Sequence, residues 1–212
     1  MARVDRALRR AATSGSGHTN DAPARHPGAT GAFALFGEVL LTGVLVAVGG
    51  ALIVTLPAAL AAATSHLRRY VRAETSSFGQ AWADFVRALP GGLVVGATSV
   101  AVAAILWVDI SIGRSGALPG GGAIVAAGWV LAAVAAGALL AATGRWTADG
   151  GWKGAFRGLP RSMASDIPGA IYLIIAAGFI ALAGSMLPPL VLPALGCAAL
   201  AAVAIPERPR RR

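Results

Sequence analysis

Lysine is nearly missing from this chain of 212 residues, and so is every side-chain arrangement that usually carries chemistry. Lys153 is the single lysine, Cys197 the single cysteine, and the histidines are His18, His26 and His66. One cysteine excludes an intrachain disulfide. No Cys-x2-Cys, His-x3-His or His-Glu-x2-His spacing occurs, which excludes the common zinc motifs. No glycine-rich loop precedes a Lys-Ser or Lys-Thr pair, so there is no Walker phosphate cradle. Serines in the apolar stretches have no histidine or lysine beside them to act as a base. The chain reads as non-enzymatic, with no cofactor. Charge is scarce too: 13% of residues are charged against 56% hydrophobic, and the mean hydropathy is +0.70.

What the chain has is long apolar runs, with the charge confined to the gaps between them. Such a pattern takes lipid as its solvent. A span needs roughly 20 apolar residues. Residues 33–60, 91–112, 121–142 and 168–187 meet that requirement, and 190–205 is shorter but apolar throughout. Pro188-Pro189 reads as a turn between the last two, and Pro193 is tolerable in a first helical turn. The expected fold is an all-α transmembrane bundle of five spans. Residues 1–32 form a basic arm rich in Gly, Pro, Ser and Thr that reads as disordered, and 206–212 form a basic tail. No apolar region follows the first arginines closely, so no cleaved signal peptide is expected. Cys197, inside the fifth run, is expected to serve helix packing.

The basic residues alternate between gaps. Arg68, Arg69, Arg72 and Arg87 follow the first run, Arg114 stands alone after the second, and Arg145, Lys153, Arg157 and Arg161 follow the third. The tail holds Arg208, Arg210, Arg211 and Arg212. The positive-inside rule places the first and third gaps and the C-terminus in the cytoplasm, and five spans then put the N-terminus outside. An N-in chain with a sixth span is the alternative, favoured by Arg3, Arg6, Arg9, Arg10 and Arg25. Heavy Ala, Gly and Arg usage points to a GC-rich bacterium and its inner membrane. The net charge of +9 flanks spans and meets anionic headgroups, so no nucleic-acid partner is expected.

The two cytoplasmic gaps share a pattern. Trp82 leads to Arg87, Leu89 and Pro90, and Trp152 leads to Arg157, Leu159 and Pro160; both read W-x4-R-[AG]-L-P. Trp82, Phe85, Val86 and Leu89 recur at i, i+3, i+4 and i+7, as do Trp152, Ala155, Phe156 and Leu159, so each set falls on one helical face. Each segment is expected to be a short amphipathic helix at the headgroup level, ended by its proline. Ser77 and Gln80 offer the first a capping box. Trp82, Phe85, Arg87, Trp152, Phe156 and Arg157 are therefore candidate contacts, either to anionic lipid or to a membrane transporter subunit. A duplicated helix–loop–helix unit would explain the match.

Few polar residues enter the runs. Glu38, Asp109 and the adjacent Arg114 are expected near the outer ends of their spans. They form a candidate outward-facing site there, or else snorkel, with Asp109 pairing with Arg114. Asp166 is the expected N-cap of the fourth span. Gly92 and Gly96, with Gly178 and Gly184, mark close helix contacts. None of this sets an oligomeric state.

The stretch Leu56-Pro57-Ala58-Ala59, then Leu67-Arg68-Arg69-Tyr70-Val71-Arg72 with Glu74, then Phe78, Trp82 and Phe85, resembles the YesL-like family of small bacterial membrane proteins. The resemblance implies a five-span plan and a setting near sugar-uptake systems, with no established activity and no catalytic residues. Glu74, Gly79, Leu89 and Pro90 also echo the loop by which ABC importer permeases dock on their ATPase, but Gly79 and Pro90 stand two positions too close.

Overall fold

The computed structural model describes Gly28 and residues 31–208. The expected arm, save Gly28, Gly31 and Ala32, and the tail beyond Arg208 lie outside the described residues, as do His18 and His26. Among the described residues all regular structure is helical: α1 (Ala32–Gly49), α2 (Leu56–Val71), α3 (Phe78–Arg114), α4 (Gly121–Arg145), α5 (Gly151–Arg157), α6 (Leu159–Ser165), α7 (Ile167–Met186) and α8 (Val191–Glu207). Five of these stretches are long and apolar enough to cross a membrane, namely α1, α3, α4, α7 and Pro188–Glu207. The protein is a polytopic membrane protein. Its outward side chains, such as Val94, Ile105, Trp107, Phe179 and Leu182, are apolar, as lipid contact requires.

The first run is not one span. Taken whole, residues 33–60 would be about 42 Å long at 1.5 Å per residue, against a hydrocarbon core of about 30 Å. The chain breaks at Gly49-Gly50, where Gly50 N–H bonds Val46 O. It passes through a 3-10 turn, Ile53–Thr55, and restarts with Pro57 in the first turn of α2. The Thr55 hydroxyl lies 2.6 Å from Gly49 O and 2.7 Å from Leu52 O. It thereby serves carbonyls that the helix end leaves without partners.

α2 is the centre of the molecule. Every residue from Pro57 to Leu67 is buried. α1, α3, α4 and α8 pack around it, and α7 completes the outer ring between α4 and α8. Its alanines permit close approach, since lipid supplies no hydrophobic drive and association rests on packing. Gly92 seats on Ala58, and a Cβ at Gly96 would lie 1.9 Å from Val54 O. Gly43 and Gly196 do the same for α1 against α8, where added Cβ atoms would fall 2.0 Å from Leu192 O and Val39 O.

Because α1 and α2 form a hairpin, Gly28 comes against Tyr70, and Arg72 at the end of α2 pairs with Glu207 at the end of α8. The start of α1 and the end of α8 thus share one end of the bundle. This corrects the expectation that five spans would separate them. Other expectations hold: Ser77 and Gln80 form a capping box, Asp166 accepts from Gly169 N–H at 3.1 Å, and Pro188-Pro189 turns the chain. Pro206 and Glu207 belong to α8 rather than to a tail. Cys197 faces outward instead of packing between helices.

Candidate functional site

The second half of α2, Thr64-Ser-His-Leu-Arg-Arg-Tyr-Val-Arg72, carries its polar groups around the whole helix circumference. Its hydrogen bonds and ion pairs reach four of the neighbouring helices. His66 Nε2 lies 2.5 Å from Glu38 Oε1 on α1, and its ring stacks on Phe78 of α3. Arg69 Nη1 lies 2.8 Å from Asp84 Oδ2 on α3, and Arg72 Nη2 lies 2.9 Å from Glu207 Oε1 on α8. Toward α4, the Thr64 hydroxyl lies 3.0 Å from Thr143 O and Arg68 donates to Gly144 O. α7 joins through Asp166, which pairs with Arg208, whose guanidinium also covers the Tyr172 ring. Ionisable groups at this depth are costly alone and are held in pairs. The result is a polar collar at the basic end of the bundle.

The hairpin moves Glu38 from the expected outer end to this collar. Asp109 and Arg114 lie near the far end of α3, both exposed, and no ion pair joins them among the described residues. Glu38 and Asp109 are therefore not brought together. Among the described residues no group of three His, Cys, Asp or Glu side chains could hold a metal ion.

The two tryptophan segments differ from expectation and from each other. The first is no separate interfacial helix: it is the N-terminal part of α3, which continues through Pro90. Trp82 is 64% exposed, and Phe85 packs beside it with ring centroids 5.4 Å apart. With Phe78, Leu45, Val48 and Gly49 they line a cleft of about 230 Å³ between α3 and α1, where the ring of helices is least closed. Arg87 is exposed on another side of α3. The second segment is α5, broken from α6 at Gly158. Trp152 is 8% exposed, and its indole N–H donates to Ala88 O at 2.9 Å. Phe156 and Arg157 remain exposed.

His66, Arg69, Asp84 and Glu207 did not stand out as a site in the sequence. The signal was there once α2 is treated as a separate helix, because a buried helix with cations on every side must draw partners from every neighbour. Set against known protein families, curated proteins and solved structures, the chain matches none.

Proposed function

We propose that this chain is a non-enzymatic accessory or regulatory component of a bacterial inner membrane, associated with a solute-uptake system as the YesL-like resemblance implies. The observation that carries this reading is the position of α2. It fills the axis of the bundle with packed side chains, and Thr64, His66, Arg68, Arg69 and Arg72 each reach a surrounding helix. The groups left free for recognition are on the outside, foremost Trp82 and Phe78 beside the α1–α3 cleft. The collar, α5 and α6 gather the basic residues at one end and leave Arg114 at the other, so the positive-inside rule turns the collar toward the cytoplasm. Both the start of α1 and the end of α8 then face the cytoplasm, and α2 is the sixth helix that this orientation needs. The transporter reading, which paired Glu38 with Asp109, now rests on Glu38 and His66 alone.

The test is recovery of the tagged full chain from native membranes in mild detergent. A transporter subunit should co-purify stoichiometrically and be lost from the Trp82→Ala/Phe85→Ala variant, while insertion stays normal. Recovery of the chain alone, together with solute flux in proteoliposomes that Glu38→Gln abolishes, would overturn the reading in favour of a transporter.

A further inference from the structure

A second cavity lies between α3 and α4, away from the α1–α3 cleft. The two helices touch near Gly113 and Gly121, where a Cβ on Gly121 would meet Gly113 O at 2.4 Å, and again where Ile110 covers Gly128. Toward the basic end they part, and α5 wedges in with Trp152 against Gly91. The crevice between has a volume of about 510 Å³, within the range of small-molecule sites. Its walls are small and apolar, including Val94, Val102, Leu106, Ala132, Ala136 and Leu139, and Phe156 closes the lower end. The only hydroxyls in the wall are spent on their own helix: Thr98 donates to Val94 O and Ser99 to Val95 O, each at 2.8 Å. An occupant meets no free donor inside and only the lone pairs of two hydroxyls, so the crevice fits a hydrocarbon.

Its length and its mouth narrow the choice. From Val94 to Leu106 the wall runs roughly 18 Å along α3. One leaflet of the hydrocarbon core is about 15 Å deep. Arg87 lies two turns before Val94 on the same stripe of α3 (i, i+7), and Lys153 and Arg157 flank Phe156 on α5. All three cations are exposed, and none forms an ion pair among the described residues. The acidic residue of this stretch, Asp149, stands in the turn before α5. We propose that the α3–α4 crevice is a specific site for one anionic phospholipid of the leaflet at the basic end, its acyl chain in the crevice and its phosphate at Arg87, Lys153 and Arg157. The site does not depend on the accessory role above.

Native mass spectrometry of the full chain in mild detergent, with phosphatidylglycerol or phosphatidylcholine added, tests the proposal. One phosphatidylglycerol should be retained in preference to phosphatidylcholine. Ala136→Trp, which fills the crevice, should abolish retention with helicity unchanged by circular dichroism. Should that variant fail to fold, Arg87→Gln, Lys153→Gln and Arg157→Gln provide the check. Each should weaken phosphatidylglycerol retention about fivefold, in line with roughly 1 kcal/mol per surface cation. Equal retention of both lipids, or retention indifferent to the glutamine variants, would overturn it. So would efficient disulfide cross-linking of Val102→Cys between two chains in phosphatidylglycerol vesicles (in a Cys197→Ser background), because a second copy would then occupy the crevice.

Discussion

Trp82 and Trp152 open the same pattern, W-x4-R-[AG]-L-P, and the fold uses the two in opposite ways. In the first copy Trp82 and Val86 look outward and Phe85 is half-buried, while Ala81, Asp84 and Ala88 on the other side are buried. In the second copy the tryptophan side looks inward: Trp152, Ala155 and Leu159 are buried, while Phe156 is exposed together with Lys153, Gly154 and Arg157. The second tryptophan is seated on the first copy itself, between Gly91 and the Ala88 carbonyl. An apolar face at the headgroup level can thus be satisfied by lipid or by protein. The opposite face makes the choice. Two alanines and an aspartate with Arg69 as partner can be buried, whereas a lysine and an arginine without acidic partners cannot.

Truncation separates the two tryptophans most widely. Trp152→Ala should cost about 4 kcal/mol, the scale of emptying a buried aromatic site, and should free α5 from α3. Trp82→Ala should change stability by no more than about 0.5 kcal/mol, as for other exposed positions. Thermal unfolding in detergent measures both, and equal losses would dissolve the distinction. The next effect lies on the opposite face. Asp84→Asn leaves Arg69 without its anion and should cost about 3 kcal/mol, toward the lower end for a broken buried pair, because the Arg69 side chain keeps 24% exposure. At the matching place in the second copy, Gly154→Asp should be nearly silent, since Gly154 is exposed with open space around its Cα. An Asp84→Leu/Arg69→Met double variant should recover most of the loss, which would identify the cost as an orphaned charge rather than a lost contact.

Hydropathy locates both ends of α4, α7 and α8 and the far end of α3 within a few residues, because a bilayer imposes length and apolarity on any helix that faces it. It does not locate α2, which is buried among the other helices, with a first half rich in alanine and a second half largely polar. The double glycine 49–50 and Pro57 are the punctuation of a helix end and a helix start, but an uncharged apolar run hides such marks. With α2 merged into the first span, Glu38 falls at the opposite end and His66 has no partner in view. The periodicity of the tryptophan segments was legible. Which side each would bury was not, because burial depends on Arg69 and on Gly91, residues outside the pattern.

Among the specified positions of the pattern one differs, and it coincides with the difference in backbone. Ala88 precedes Leu89-Pro90 within an unbroken helix, whereas Gly158 precedes Leu159-Pro160 at the join of α5 and α6, with φ −97° and ψ 0°. Each proline removes the bond to the carbonyl four residues back, so the helix must be held through that point by its other residues. Glycine contributes least, by about 1 kcal/mol relative to alanine. Exchanging the two should therefore exchange the behaviours. Ala88→Gly should destabilise the lower part of α3 by about 1 kcal/mol and speed amide exchange at residues 86–89. Gly158→Ala should slow exchange at 158–159. Its net stability change should stay within about 1 kcal/mol, because the new methyl would meet the Arg145 guanidinium at 2.5 Å and displace it from Ala155 O. Hydrogen–deuterium exchange read by mass spectrometry resolves both segments. If neither substitution moves its exchange rates, the break at Gly158 is imposed by the packing of Trp152 on Gly91, and Trp152→Ala should then straighten α5 into α6 where Gly158→Ala did not.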